Sequence, residues 1–584
     1  MERFAKVVLE ELNSVLETPI QLTDLEIPPE PELGDFAFPC FRLAKTLKKA
    51  PPQIAQDIAN RVKAKGGQGS RWVQSVGPYV NFTVPPSDTL KALLSDILKG
   101  KDLGDYGSLK PDSRGTWVLE YSSPNVAKPL NIYHLRPTAL GAALDRIGRY
   151  RGYRVISINH LGDWGKQYGM LTVAFRKFGI DPKSDVKMKD LVDMYVRINA
   201  EAEKDPTIEE KAKQAFVDLE KGDPEITALW QKCVDVSIKE FEANYKRMGV
   251  KFDHIWGESY YKDQLAPLIA ELKKMGLLVE SEGAWVVPLT DENGKEIPPC
   301  IIQKSDGATI YATRDVAAAL YRFKKFGFER MTYIVGQEQK LHFKQIFGVL
   351  KKMGLSWADR CEHVPFGLYR FKDAKMSTRK GNFVTLEEVL ELTKQRVTEL
   401  MKTRDQERPV GFIPGQFEET TEKVAMGAVV FADLHSDPAR DVEFDLDRVV
   451  DFEGETGPYL QYAHTRCKSI LRKAQEAGVV SSMNDVVFQE KWVDLLVKQE
   501  ELRLIKVLGQ FPLHLERTLG FSKASQLAHY LIDVTKVFGA FYRECQVLGD
   551  SAELTQARLM LVEATRRVLA RGLGLLGIPL PEKM

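Results

Sequence analysis

Apolar residues recur at helical spacing over residues 4–16, and again over 42–48 and 52–63. Between the first two runs lies a Pro/Glu-rich extended segment, 27–33, followed by Gly34-Asp35-Phe36-Ala37-Phe38. Residues 71–73 and 79–84 alternate apolar and polar, which predicts two strands. The first hundred residues thus read as a small α/β unit, closed by Gly and Pro near 104–115.

A βαβ pattern comes next. Residues 116–122 predict a buried strand, 123–134 a loop and 138–147 a helix, with Pro137 in its first turn. Residues 154–159 predict the second strand. A charged helical stretch, 183–248, leads to a hairpin in which 285–287 and 300–302 are joined through Glu292-Asn293-Gly294. Further strands are expected at 309–311 and 331–335. From Gly457 the pattern is helical to the end, with a mild basic excess.

Composition adds exclusions. The 584 residues suit roughly three to four domains. The 44% hydrophobic and 28% charged content excludes a disordered or fibrous chain. Lys+Arg 82 against Asp+Glu 81 leaves a formal charge of +1, so a polyanion must be met by local basic surface. No apolar run approaches 18 residues, and the N-terminus lacks a signal-peptide core, which points to a cytoplasmic protein with no membrane partner. The six cysteines form no CxxC pair, so neither a metal site nor a disulfide framework is read.

Two segments carry chemistry. Asn125, Lys128, Asn131 and His134 fall in the loop that opens a helix, whose free N–H groups suit phosphate. Far downstream, Lys375-Met376-Ser377-Thr378-Arg379-Lys380-Gly381-Asn382 packs three cations and two hydroxyls into six residues. Such a loop can neutralise charge developing on an α-phosphate.

Together these segments resemble the two signatures of class I aminoacyl-tRNA synthetases, and nearly the whole chain resembles an arginyl-tRNA synthetase. The stretches that carry the resemblance are Glu120 to Lys128, His134-Leu135-Arg136, Asn159 to Gly169 and Gly257-Glu258-Ser259. They continue with Tyr311-Ala312-Thr313-Arg314-Asp315, Val335 to Gln339 with Leu341-His342-Phe343, Gly457 to His464 and Leu576-Gly577-Ile578-Pro579. The resemblance implies a multidomain α/β fold. Its parts are a small N-terminal α/β domain at 1–110 that contacts the tRNA corner, and a Rossmann-like parallel-sheet catalytic domain at 111–455. That domain carries an insertion at about 180–300, and an all-α anticodon-binding bundle follows at 456–584.

The implied activity is ATP-dependent activation of L-arginine and its transfer to tRNA(Arg), with Mg²⁺ accompanying ATP and the chain acting as a monomer. His134, Lys375 and Arg379 are the implied catalytic groups. ATP is assigned to Asn131, Tyr133, His134, Arg136, Gly162, Asp163, Met376, Ser377 and Lys380. A guanidinium is planar and always charged, so carboxylates suit it. Glu258 and Asp315 are the implied acids, with Tyr311 as a ring face. Glu120, Asn125 and Gln339 are placed at the α-amino and carboxylate end, and Ser123 beside them. Tyr459, Tyr462 and Arg466 are tRNA candidates in the tail, with Phe538, Phe541 and Tyr542; Tyr79 and Asn81 are candidates in the N-terminal unit.

The first signature departs from the family's usual His-x-Gly-His, reading Asn131-Ile132-Tyr133-His134. Where Gly would let adenine lie against the backbone, Tyr133 sets a ring that points away, stacks or blocks. Thr378 replaces the second signature's usual lysine. The departures leave two rival readings: a nucleotide-binding paralogue that no longer aminoacylates, and a non-catalytic tRNA-binding scaffold.

Overall fold

Strands Thr116–Glu120, Arg154–Asn159, His254–Ile255, Arg330–Gly336 and Cys361–Phe366 form one parallel sheet in a computed structural model of the chain. Numbered by their order in the chain, they lie 3-2-1-4-5 across the sheet. The order reverses between the first and fourth strands, so the carboxyl ends of Thr116–Glu120 and Arg330–Gly336 flank a switch-point crevice. The structure describes residues 1–28, 30–100, 103–291, 293–371, 384–407, 409–482, 485–549 and 551–584. The second signature, with the candidates Lys375, Met376, Ser377, Arg379 and Lys380, lies outside the described residues.

The chain falls into two compact units. One comprises Pro111–Gln395 with Ser436–Leu446 and contains the parallel sheet. Its first strand buries Trp117, Val118 and Leu119 completely, as a strand covered on both faces must. The crossover helix Leu135–Tyr150 sits so close that a Cβ on Gly141 would meet the Tyr121 ring at 2.1 Å. At Gly148 it would meet the Trp117 ring at 2.8 Å, so glycine sets the helix-to-sheet spacing at both points.

The charged stretch after the second strand forms helices Met188–Ala202, Thr207–Glu220 and Pro224–Arg247, as its periodicity predicts. Asp223 caps the last of these by accepting from the Ile226 N–H at 3.0 Å. The expected hairpin is present as Ala284–Thr290 against Glu296–Gln303, with Val279–Ser281 added at its edge.

The strand expected at 309–311 is corrected. Thr309 makes an isolated bridge to Gln303, and helix Tyr311–Phe326 begins at Tyr311. The β-forming Thr-Ile-Tyr triplet yields to the run behind it, whose Ala312, Val316, Ala317, Ala318 and Ala319 are buried together. At 71–73 the strand starts only at Val73, after a 3-10 turn at Gln68–Arg71.

The other unit comprises Met1–Lys110, Arg396–His435 and Asp447–Met584. Its N-terminal part holds an antiparallel sheet with Tyr79–Phe82 between Phe36–Pro39 and Val73–Val76. The tail is helical, with Gly457–Glu476, Gln499–Gly509, Phe511–Phe521, Ser525–Glu544 and Ala552–Leu576. The two parts are joined by polar bonds. Lys506 Nζ lies 3.0 Å from Asp35 Oδ1, and Arg517 Nη1 donates to the Leu25 carbonyl at 2.7 Å.

Candidate functional site

The first strand ends at Glu120 and turns sharply through Ser122 and Ser123, at φ 72° and 49°. Two consecutive left-handed residues without glycine are strained and need support from around them. Asn159, at the end of the second strand, accepts the Ser123 N–H at 3.1 Å. Ser122 Oγ bonds Tyr245 Oη at 2.8 Å and accepts from Thr138 Oγ1 at 2.7 Å. The strained turn is thereby pinned to the crossover helix and to helix Pro224–Arg247. It leaves the Ser123 hydroxyl buried without a partner among the described residues and the Asn125 side chain exposed. Gly162 forms a bridge with Asn125, and a Cβ there would stand 2.1 Å from Asn125 Oδ1. Gly162 thus makes room for the Asn125 amide.

The loop closes on a 3-10 turn, Ile132–His134, that runs into the crossover helix. Asn131 caps this turn by accepting the Tyr133 N–H at 3.1 Å, and its own N–H donates to His134 Nδ1 at 3.1 Å. The second bond fixes neutral His134 as the tautomer with its proton on Nε2. Burial first, then the nearby Lys128 charge, lowers its pKa to about 4. His134 is therefore a neutral donor at physiological pH. Tyr133 is half-buried.

Both flanks of the second signature are tied to this first signature. The Ile132 N–H donates to the Val384 carbonyl at 3.3 Å, and the Leu386 N–H donates to Leu130 at 2.9 Å. On the entering side, the Arg136 guanidinium donates to the carbonyls of Gly367, Arg440 and Asp437 at 3.2, 2.6 and 3.4 Å and lies over the Tyr369 ring. This withdraws Arg136 from the ATP contacts. It is buried, and it anchors the segment that leads into the signature.

Asp163 is corrected likewise. Both of its oxygens accept from Ser259, at 2.9 Å from the N–H and 2.6 Å from Oγ. It fixes the Gly257–Ser259 turn rather than facing a nucleotide, and a Cβ on Gly257 would collide with its carboxylate.

The acids expected for arginine lie together but are already partnered. Arg314 Nη1 donates to Glu258 Oε2 at 2.8 Å. Burial raises the Glu258 carboxyl to about 8; Arg314 opposes this, and Asp315 and Asp163 add to it. His342 Nε2 lies 2.6 Å from Asp315 Oδ2, and His160 Nε2 lies 3.8 Å from Oδ1. Burial works against the charged form of Asp315. The His342 bond and the charges of His342, His160 and Arg322 outweigh it and hold the carboxyl below its ordinary range. Glu120 is paired at 2.5 Å with the fully buried Arg322, whose Nη2 also lies 3.3 Å from His160 Nδ1.

Glu120 is therefore the anchor of a buried network and not an open ligand for an amino group. Tyr311 is 62% exposed at the start of its helix, and Gln339 is exposed in the 3-10 turn after the fourth strand. Arg314, Arg322, His160 and His342 are the partners that residue-type reasoning did not assign, although all four stand inside or near the stretches that carried the resemblance.

In the other unit, Tyr459, Tyr462 and Arg466 line one cavity of about 540 Å³ with Arg404, Phe412 and Phe538. Arg466 lies over the rings of Tyr462 and Tyr542 at 4.8 and 5.3 Å. A neighbouring cleft of about 890 Å³ adds Arg472, Lys473, Arg543 and Lys583. Phe541 is fully buried and leaves the stacking candidates. Asn81 leaves them too: its side chain is buried and donates to the Leu33 carbonyl at 2.6 Å. Tyr79 remains half-buried, edge-on to the exposed Phe41 at 5.7 Å.

A switch-point crevice with a histidine at the mouth of its crossover helix, and a second signature flanked onto the first, defines a class I aminoacyl-tRNA synthetase catalytic unit. Comparison agrees: residues 94–446 match the family "tRNA synthetases class I (R), catalytic domain". Residues 460–584 match "DALR anticodon binding domain", and 2–84 match "Arginyl tRNA synthetase N terminal domain".

The chain belongs to the arginyl-tRNA synthetase family. It is 41% identical over 587 residues to an arginine–tRNA ligase of Clostridium kluyveri, covering all of both chains. It is 42% identical over 586 residues to one of Clostridium botulinum, again over the whole of both. Among solved structures, the Thermus thermophilus arginyl-tRNA synthetase superposes with a TM-score of 0.81 at 25% identity, covering 100% of each chain. The Plasmodium falciparum enzyme shares the fold, with a TM-score of 0.79 at 22% identity, over 100% of this chain and 99% of its own.

Proposed function

We propose that this chain charges tRNA(Arg) with L-arginine through an arginyl-adenylate. The observation that carries this reading is the tie of both flanks of the second signature to the His134 turn, in the unit that also gathers Glu258, Asp315 and Tyr311.

The arginine carboxylate attacks the α-phosphorus of ATP in line. A new P–O bond forms as the bond to pyrophosphate breaks, and pyrophosphate leaves. A ribose hydroxyl at the tRNA 3′ end then attacks the adenylate carbonyl; AMP leaves and the hydroxyl proton goes to solvent. No side chain acts as nucleophile. His134 donates from Nε2, and the free N–H groups that open the crossover helix add to it. Lys375 and Arg379, outside the described residues, are the cations assigned to the α-phosphate. Mg²⁺ would neutralise the phosphates of ATP when bound with it.

Asn125, Ser123 and Gln339 serve the α-amino and carboxylate end. Glu258, Asp315 and the Tyr311 ring serve the guanidinium. Tyr459, Tyr462 and Arg466 take tRNA bases and phosphate in their cavity, and activation waits on bound tRNA. The enzyme acts as a monomer. The partner reading of Tyr133 and Asn131 as signs of lost activity is disfavoured, since Asn131 does a defined job as the cap of the His134 turn.

The test is charging of tRNA(Arg) with labelled arginine, run beside ATP–pyrophosphate exchange with and without tRNA. Charging, with exchange only when tRNA is present, is expected. Arginine binding without charging would overturn the reading.

A further inference from the structure

The cradle assigned to the substrate's guanidinium already holds one from the chain itself. Arg314 is one helical turn beyond Tyr311 and is about nine-tenths buried. Its Nη1 sits 2.8 Å from Glu258 Oε2, and its guanidinium lies 4.8 Å above the Tyr311 ring. Its Nε is buried without a partner among the described residues. Glu258 Oε1 receives no hydrogen bond among the described residues, so this carboxylate has one oxygen filled and one open.

The charged and titratable groups that face Glu258 are otherwise acidic. Asp315 comes from the same helix as Arg314, Asp163 from the loop after the second strand, and Tyr168 from helix Lys166–Phe178. A buried carboxyl among such neighbours takes up a proton unless a fixed cation opposes it.

Resting on the reading of Glu258 as an arginine contact, we infer that Arg314 is a resident positioning residue for arginine specificity. Through one oxygen it favours the charged form of Glu258 against burial and the neighbouring acids, and it leaves the other oxygen as the acceptor for the substrate's guanidinium. A planar fork can share a carboxylate edge with a second planar fork, each taking one oxygen. Arg314 stays in place when substrate binds. Burial on all sides and the fixed helix position make it part of the wall, and the site is then less anionic than its acids alone would make it. A neutral, protonated Glu258 would instead offer a hydroxyl donor to a ligand that is itself all donors.

The experiment measures KM for arginine and for ATP in tRNA charging, from pH 6.5 to 9.5, for Arg314→Gln, Arg314→Lys, Glu258→Gln and the Glu258→Gln/Arg314→Gln pair. Arg314→Gln is expected to raise the arginine KM at pH 7 at least about tenfold, with KM for ATP unchanged. The loss is regained as pH rises and Glu258 gives up its proton. Arg314→Lys keeps the charge and the wild-type KM at pH 7. In the Glu258→Gln background, Arg314→Gln adds nothing.

A lower arginine KM in Arg314→Gln would mean a displaced placeholder and overturns the inference. An equal loss at every pH would mean packing alone and overturns it as well. Should Arg314→Gln not fold, Arg314→Lys decides: a wild-type pH course supports the inference, and a pH-independent loss refutes it. Glu258→Gln without effect on arginine KM would instead overturn the site reading itself.

Discussion

Replacing Asp315 by Asn removes one charge from the proposed guanidinium cradle and keeps its shape. Asp315 Oδ2 lies 2.6 Å from His342 Nε2, and the Asn carbonyl can take over that bond. Its amide N–H₂ then faces the N–H groups of the substrate, so a donor replaces an acceptor. Losing a charge-assisted hydrogen bond of this kind is worth about 1.5–3 kcal/mol. That is a rise of about 10- to 150-fold in arginine Kd or KM. On the proposed reading ATP takes a different part of the crevice, so its KM should stay within about twofold. The assay is calorimetric titration with L-arginine together with KM for both substrates in tRNA charging. If Asp315→Asn weakens arginine and ATP equally, Asp315 acts on the fold of the site and not on the guanidinium, and the reasoning fails.

Three further outcomes are expected. Burial raises the Glu258 carboxyl to about 8, and on the proposed reading arginine needs it ionised. Arginine affinity should therefore be full above pH 8 and fall as pH drops below it, by up to about tenfold per unit, and Glu258→Gln should flatten that slope. Gly141→Ala drives a Cβ to 2.1 Å from the Tyr121 ring, so the helix that carries His134 at its mouth must shift. Denaturant midpoints should show a loss of about 1–3 kcal/mol, and wild-type stability would contradict the packing. Burial first, then Arg566 and Lys468, lowers the His464 pKa to about 3. The unfolded chain therefore takes a proton between pH 6.5 and 3 that the folded tail refuses, and stability falls through that window as pH drops, by up to about 5 kcal/mol. His464→Gln should reduce this acid slope of the urea midpoint; an unchanged slope would place the loss elsewhere.

The strand–loop–helix around His134 and the hairpin of Ala284–Thr290 with Glu296–Gln303 were legible in the sequence because their signals are local. A buried apolar run, a polar loop and a helical period each fall within one element. The strand order that creates the crevice was not legible, since it depends on pairing between distant segments. The same holds for the partners of the acids. Glu258 and Arg314 stand 56 positions apart, and Asp315 and His342 stand 27 apart.

Residue type also misled in a consistent way. Arg136 and Asn81 are polar groups of the kind that bind phosphates and bases, yet both are buried and bonded to backbone carbonyls. A sequence shows the donor but not which acceptor it meets. At 309–311 local β-propensity pointed one way and the buried alanine face behind it the other, and packing won.

The central claim is that a charged guanidinium is what this site reads. Charging of tRNA(Arg) with L-arginine against L-citrulline, its neutral isostere, tests it most directly, because the two differ only where Glu258 and Asp315 act. The account predicts efficient charging with arginine and a kcat/KM for citrulline lower by about 10⁴ or more. Comparable charging with both would contradict it.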